Sequence, residues 1–234
     1  MFKKLNVLVT TLVVIFTSFH LFAQEQDVLI AEINDILKEN PEIVAPLHQN
    51  LVSYLDQSRS LAEKIDSYQE LFHHPDQPYF GNKDGELTIV AFYDYSCPFC
   101  KRLEPELEKV VKAYPNVKVI HMLMPLKEQG NTENSAALAM NVWKHDHSSF
   151  SETHELLVKK RGAHNVRSVK SVAKKTATEA ALEQDLETES RLAQNYQVFI
   201  DLGMRGTPAM IIGDEIVSGY VPFERLKQVV EAKL

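Results

Sequence analysis

The first apolar stretch of the chain, Val7 to Phe22 (VLVTTLVVIFTSFHLF), follows Lys3 and Lys4 and gives way to polar residues at Gln24. A basic start, an apolar run broken by Thr, Ser and His, and a small residue at Ala23 form the layout of a cleavable secretory signal over residues 1–23. A spanning helix would need about 20 mostly apolar residues. Spacing then changes to a helical period. Asp27 to Glu39 predicts a short helix with Leu29, Ile33, Ile36 and Leu37 on one face, and Asn40-Pro41 reads as an N-cap and first helical residue. The helix that starts there is expected to reach about Phe72. Along it Val44, Leu47, Leu51, Tyr54, Ser58, Leu61, Ile65 and Tyr68 recur on alternating three- and four-residue steps, the pattern of an a/d seam. An amphipathic helix packed on its own domain has similar periodicity. The length, the narrow seam and the position ahead of the globular part favour pairing with copies of the same chain, so residues 24–75 are expected to be a helical oligomerisation segment.

The turn-rich stretch HHPDQPYFGNKDGE, His73 to Glu86, marks a boundary, and a second domain is expected over 76–234. Leu87 to Tyr93 (LTIVAFY) predicts a buried strand, Pro98 to about Tyr114 a helix, and Val117 to Met124 a second strand, which together make a βαβ unit. From about 130 to 202 the pattern is helical throughout. Ala136, Ala137, Met140 and Trp143 share one face; Phe150, Leu156 and Leu157 line another helix, with Ser149 and Glu152 as its capping box; Leu192, Tyr196, Phe199 and Ile200 line a third. Met210 to Ile212 and Glu215 to Ser218 read as a hairpin across Gly213-Asp214, and a last helix runs from Pro222 to about Lys233.

The formal charge of −7 argues against nucleic acid or an anionic membrane as a partner, and loss of Lys3 and Lys4 with the signal makes the mature chain more acidic still. With 44% hydrophobic residues the chain can build one sizeable core. It has two cysteines, both in FYDYSCPFCKRLEPEL. Two are too few for a disulfide-stapled scaffold, and outside the cytosol they can remain oxidised.

Cys97 closes the turn between a buried strand and a helix, where unpaired backbone N–H groups and the helix dipole favour a thiolate. A depressed pKa makes it both nucleophile and leaving group in disulfide exchange. Cys100, one helical turn on, is placed to attack a mixed disulfide at Cys97 and release the substrate. Pro98 suits the first helical turn, and with Phe99 it tunes the pair. Zinc would need two more ligands than one C-x-x-C supplies, and a disulfide across two residues closes too small a loop to stabilise the fold much. No metal and no cofactor beyond the redox pair is expected. Thr207-Pro208, in GMRGTPAMIIG at the entrance to a later strand, is expected to form a cis bond.

CPFC after FYDY, the helical insertion, GTPA and the closing GYVPFERL resemble the DsbA-type thioredoxin-fold proteins of bacterial envelopes; ENPEIV and FGN resemble the ScsC-like branch of that family. The resemblance implies an α/β thioredoxin fold with a helical insert at about 130–202, preceded by the helical oligomerisation segment. It implies a periplasmic location, Cys97 as attacking and Cys100 as resolving cysteine, and Thr207 and Pro208 as a loop binding extended substrate through strand-like pairing. Relatives often carry a Glu six residues before the first cysteine. Here that position is Ala91, leaving Asp94, Lys101 or solvent to assist with the proton.

The chemistry fits disulfide isomerisation, disulfide donation, or copper handling or chaperoning on the same scaffold. Pro-Phe between the cysteines lacks the imidazole of the oxidase prototype, Thr before the proline resembles the isomerase members, and several active sites on one oligomer suit isomerisation. An oligomeric disulfide isomerase is therefore expected, as homodimer or homotrimer, acting on unfolded or misoxidised exported proteins and served by a membrane redox partner. His145, His147 and His154, around HDHSSFSETH, offer either a metal cluster or, as the commoner case, exposed loop histidines; Trp143 reads as core, and Lys159 to Lys175 as a solvated basic surface with docking of an acidic partner as the lesser alternative.

Overall fold

The computed structural model describes residues 27–234. The signal-peptide reading of residues 1–23 lies outside them. The chain forms two compact units that divide between Arg59 and Ser60.

In the first unit, residues 27–39 are helical (α1), Pro41–Ile43 is a 3-10 turn, and α2 runs over Val44–Ser67, continuing past the division. The single helix expected from Asn40 to Phe72 is thus interrupted. Pro46, in the first turn of α2, has no N–H to give the carbonyl four residues back, and the chain enters the helix through the tighter turn. Asn40 does not cap with its side chain; its amide donates instead to the Ile36 carbonyl at 2.9 Å, closing α1. A second break at Tyr68 leaves Gln69–Phe72 as the short α3. The apolar residues of this unit are on the outside: Leu29 and Ile33 of α1 and Val44, Leu47, Leu51 and Tyr54 of α2 are all exposed.

The lower half of the same seam behaves differently. Ile65 and Phe72 are buried in the second unit, with Leu61, Tyr68 and Leu71 against them. The boundary expected at 75/76 therefore lies earlier, because the seam changes partner part-way along α2. From Leu61 on, its apolar residues cover one face of the sheet.

The sheet has the order β1-β3-β2-β4-β5, with β1 Tyr79–Gly81, β2 Leu87–Tyr93, β3 Val117–Leu123, β4 Ala209–Ile212 and β5 Glu215–Ser218. β2 and β3 are parallel, as the βαβ pattern requires, and the other pairings are antiparallel. Strand alternation sorts β2 between two cores. Ile89 and Ala91 face α4 (Pro98–Ala113) and α9 (Phe223–Glu231), while Val90 and Phe92 face Ile65, Phe72 and the Val198 and Phe199 side chains of α8 (Leu186–Asp201). Gly81 ends β1 with φ of 87°, and a Cβ there would stand 2.6 Å from the Val117 carbonyl oxygen, so only glycine fits.

The helical insert comprises α5 (Ser135–His145), α6 (Phe150–Lys159), α7 (Val166–Lys175) and α8. Trp143 is core as expected, and its Nε1 donates to the Pro75 carbonyl at 2.9 Å. The capping box expected at Ser149 is absent. A 3-10 turn over His147–Ser149 leads directly into α6, leaving Ser149 in helical geometry with no side-chain cap. A capping box is formed instead by Asn165, the N-cap of α7, and Ser168 in its first turn. The basic tract is amphipathic: Val169, Val172 and Ala173 are buried under its lysines, and Lys170 pairs with Glu133 at 2.9 Å.

Candidate redox site

β2 ends at Tyr93, a tight turn follows in which the Cys97 N–H donates to the Asp94 carbonyl at 2.9 Å, and α4 begins at Pro98. Cys97 is the N-cap of α4, with extended backbone, and Pro98 takes the first helical position, where no N–H is missed. Both cysteines are free thiols. Cys97 is 5% exposed and Cys100 fully buried, so one sulfur sits at the edge of solvent and the other behind it. The Asp94 N–H reaches the Cys100 sulfur at 3.5 Å.

The Thr207–Pro208 bond is cis, as expected from the sequence. Its loop lies against the redox pair: the Cys97 thiol donates to the Thr207 carbonyl at 3.2 Å. The Pro208 carbonyl is taken by the Gly219 N–H at 2.8 Å, which ties the loop to the end of β5. Phe99 is half exposed, and the guanidinium of Arg102 lies 5.8 Å from its ring and 4.5 Å from that of Tyr220. Cys97, Cys100, Thr207 and Pro208 are thus brought together, with Pro98 and Phe99 at the exposed lip.

The electrostatics separate the two sulfurs. The Cys97 pKa falls from 9.0 to about 5, chiefly because the Cys100 thiol donates a hydrogen bond to its thiolate; burial opposes this, and the Thr207 side chain and the N–H groups of Cys100 and Phe99 add to it. The contact with the Thr207 carbonyl needs a proton on sulfur, so it is lost when the thiolate forms. Burial, together with the bond it donates to Cys97, pushes the Cys100 thiol far above its ordinary range. At neutral pH the arrangement holds one thiolate at the surface and one protonated thiol beneath it.

Ala91 is fully buried and pairs in register with His121 on β3, so no carboxylate comes from that position. Asp94, 1% exposed, accepts from the Ser96 N–H at 2.7 Å and the Lys127 N–H at 3.3 Å. Burial raises its carboxyl from 3.8 to about 6. Behind it Glu128, also buried, accepts from the Ser96 hydroxyl at 2.9 Å and from the Ser135 N–H at 3.0 Å. Lys101 is engaged elsewhere, its ammonium donating to the carbonyls of Lys160 and Gly162, and burial lowers its pKa.

Several of these groups escaped the sequence reading. Glu128 and Ser96 give no periodic signal, because both lie outside regular elements. Glu104 was visible in principle: it falls four residues after Cys100, on the apolar face of an amphipathic helix. His154 is not an exposed loop residue. It lies on α6 with its side chain 14% exposed and its Nε2 3.1 Å from Glu104.

Comparison with known proteins agrees with this geometry. The profile of the DSBA-like thioredoxin domain matches residues 88–231. The chain is 27% identical over 173 residues to disulfide bond formation protein D of Bacillus subtilis, covering 68% of this chain and 77% of that one. Among solved structures it is similar to a periplasmic thioredoxin-like protein from Salmonella enterica serovar Typhimurium, at 37% identity and a TM-score of 0.66 over 71% of this chain and 94% of that chain. A linker-deletion variant of Proteus mirabilis ScsC matches at 31% identity and a TM-score of 0.70, covering 90% of this chain and 95% of that chain.

Proposed function

The chain belongs to the DSBA-like thioredoxin-domain family and is a thiol:disulfide oxidoreductase, and on that premise we propose that it works as an oligomeric disulfide isomerase on exported proteins in the periplasm. The Cys97 thiolate attacks a client disulfide. A Cys97–client bond forms, and the other client sulfur leaves as a thiolate, free to attack a different client disulfide. When a client thiolate displaces Cys97, the exchange is redox-neutral and the protein is regenerated. When the client stalls, the Cys100 sulfur attacks that of Cys97, gives up its proton and releases the client as a thiol. A Cys97–Cys100 disulfide remains, to be reduced by a membrane partner. The Thr207–Pro208 loop lies where an extended client backbone would pair beside Cys97.

The observation that carries the isomerase reading is the exposed apolar face of residues 27–59, a surface suited to a second or third copy of the same chain. Several Cys97 thiolates around one client favour repeated attack over a single donation. The Salmonella relative is described as periplasmic, which supports the location. The test is reactivation of a client with scrambled disulfides in a glutathione buffer, compared with Cys97→Ser. A second reading, the disulfide-donating oxidase, is favoured by the depth of the Cys97 shift, since a reduced form stabilised by its thiolate makes the disulfide a stronger oxidant. Rapid oxidation of a reduced client without rescue of a scrambled one would select it.

A further inference from the structure

Beneath the redox pair, three elements distant in sequence turn donor atoms toward one point. Glu104 comes from α4, one turn beyond Cys100; His121 from the middle of β3; His154 from α6 of the insert. The Glu104 Oε2 atom is 3.1 Å from His121 Nε2, its Oε1 is 3.1 Å from His154 Nε2, and one donor atom from each residue lies within 4.8 Å of the others. Glu104 and His121 are buried, at 3% and 1% exposure.

The surroundings are built around the two rings. His154 Nδ1 is 2.7 Å from the Tyr95 hydroxyl, which fixes the ring with Nε2 inward. His121 is stacked against Phe80 and His154 against Phe150. Tyr93 is fully buried, with its ring 5.1 Å from that of His121 and its hydroxyl beside the Glu104 carboxylate.

The two imidazole rings stand 5.1 Å apart, and the Glu104 carboxylate contacts the Nε2 atom of each, so that three metal-ligating groups converge in a largely dry interior. A divalent cation fits between them, taking one carboxylate oxygen and two imidazole nitrogens. Two ligands at about 2.0–2.2 Å from one zinc ion stand roughly 3.4 Å apart at the tetrahedral angle; here each Glu104 oxygen is 3.1 Å from one imidazole nitrogen, and one donor atom from each residue lies within 4.8 Å of the others. The Tyr95 hydroxyl at the outer nitrogen of His154 orients that ring, the part an outer-shell partner plays for a ligating histidine.

We propose that Glu104, His121 and His154 form a zinc site, separate from the cysteines and tying the insert to the active-site helix. From sequence, His154 could be grouped only with its neighbours His145 and His147, because the three ligands lie on three elements with no spacing motif between them.

The decisive experiment takes the thiols out of competition. Full-length Cys97→Ser/Cys100→Ser protein is titrated with Zn²⁺ against a chromophoric chelator, and separately with Co²⁺ while the absorption spectrum is followed. The expected result is one equivalent bound, visible Co²⁺ bands without the near-ultraviolet charge transfer of a sulfur ligand, and a rise in unfolding temperature on metal addition. His121→Gln and His154→Gln should each weaken binding at least about 100-fold, and Tyr95→Phe about 10–100-fold. No binding to the thiol-free protein at micromolar metal would overturn the proposal without recourse to any further variant. Stoichiometric binding unchanged by His154→Gln and Tyr95→Phe would overturn it equally, by placing the metal on other histidines.

Discussion

At Cys97 the useful state is a thiolate held by a neighbour that keeps its own proton. Alkylation of the reduced protein by iodoacetamide should therefore titrate with a midpoint near pH 5, and Cys100→Ser should move that midpoint upward because the donated bond weakens. The same shift sets a stability window. A thiol whose folded pKa is depressed from 9.0 to about 5 contributes stability that is complete above pH 9 and lost as pH falls through about 5. Thermal unfolding of the reduced protein should thus lie above that of Cys97→Ser at pH 7, and the two curves should converge below pH 5. Asp94 acts in the opposite sense. Its carboxylate raises the Cys97 pKa by repulsion, as the thiolate raises its own, so Asp94→Asn should shift the alkylation midpoint further down. An unchanged midpoint would remove Asp94 from the electrostatics of the pair. Of these residues, the two cysteines and Thr207-Pro208 were legible because each sits at the junction of a strand with a turn or helix, where local pattern and chemistry coincide. Asp94 could be located but its role could not: its environment is made by Ser96, Lys127 and Glu128, and the last two lie more than thirty positions away.

Helix α4 carries the nucleophile at its N-terminus and an ionised group on its buried face one turn beyond Cys100. Glu104 joins this helix to β3 through His121 and to α6 through His154. Glu104→Ala removes the carboxylate that both imidazoles contact and should cost about 1–3 kcal/mol of unfolding free energy. Urea unfolding of the reduced protein measures it, and a loss below about 1 kcal/mol would mean that the triad does not hold the elements together. Strand β2 could be read from the sequence because it is an unbroken apolar run rich in β-branched and aromatic residues, and helix α4 because it has a clean period and a clear start. Helix α2 could be read only in part. Its seam keeps one spacing from Val44 to Tyr68, yet the first half is exposed and the second half covers the sheet, and periodicity does not say which partner an apolar face will find.

On the scale of the whole molecule the exposed seam makes a prediction of its own. Wild-type protein should scatter light as a dimer or trimer at micromolar concentration, and Leu47→Glu with Leu51→Glu should reduce it to a monomer with the Cys97 alkylation rate unchanged. A wild-type monomer would leave the redox chemistry intact and remove the oligomer from the account. The fold class was legible from the order of elements and the C-x-x-C. The division between units was not, because it falls inside a helix, where no turn residues announce it. The central claim, exchange through Cys97 that rearranges wrong disulfides, is tested most directly by adding the protein to a client with scrambled disulfides in a glutathione buffer and following the return of client activity. Recovery that disappears in Cys97→Ser is the predicted result. No recovery above the buffer alone would contradict it.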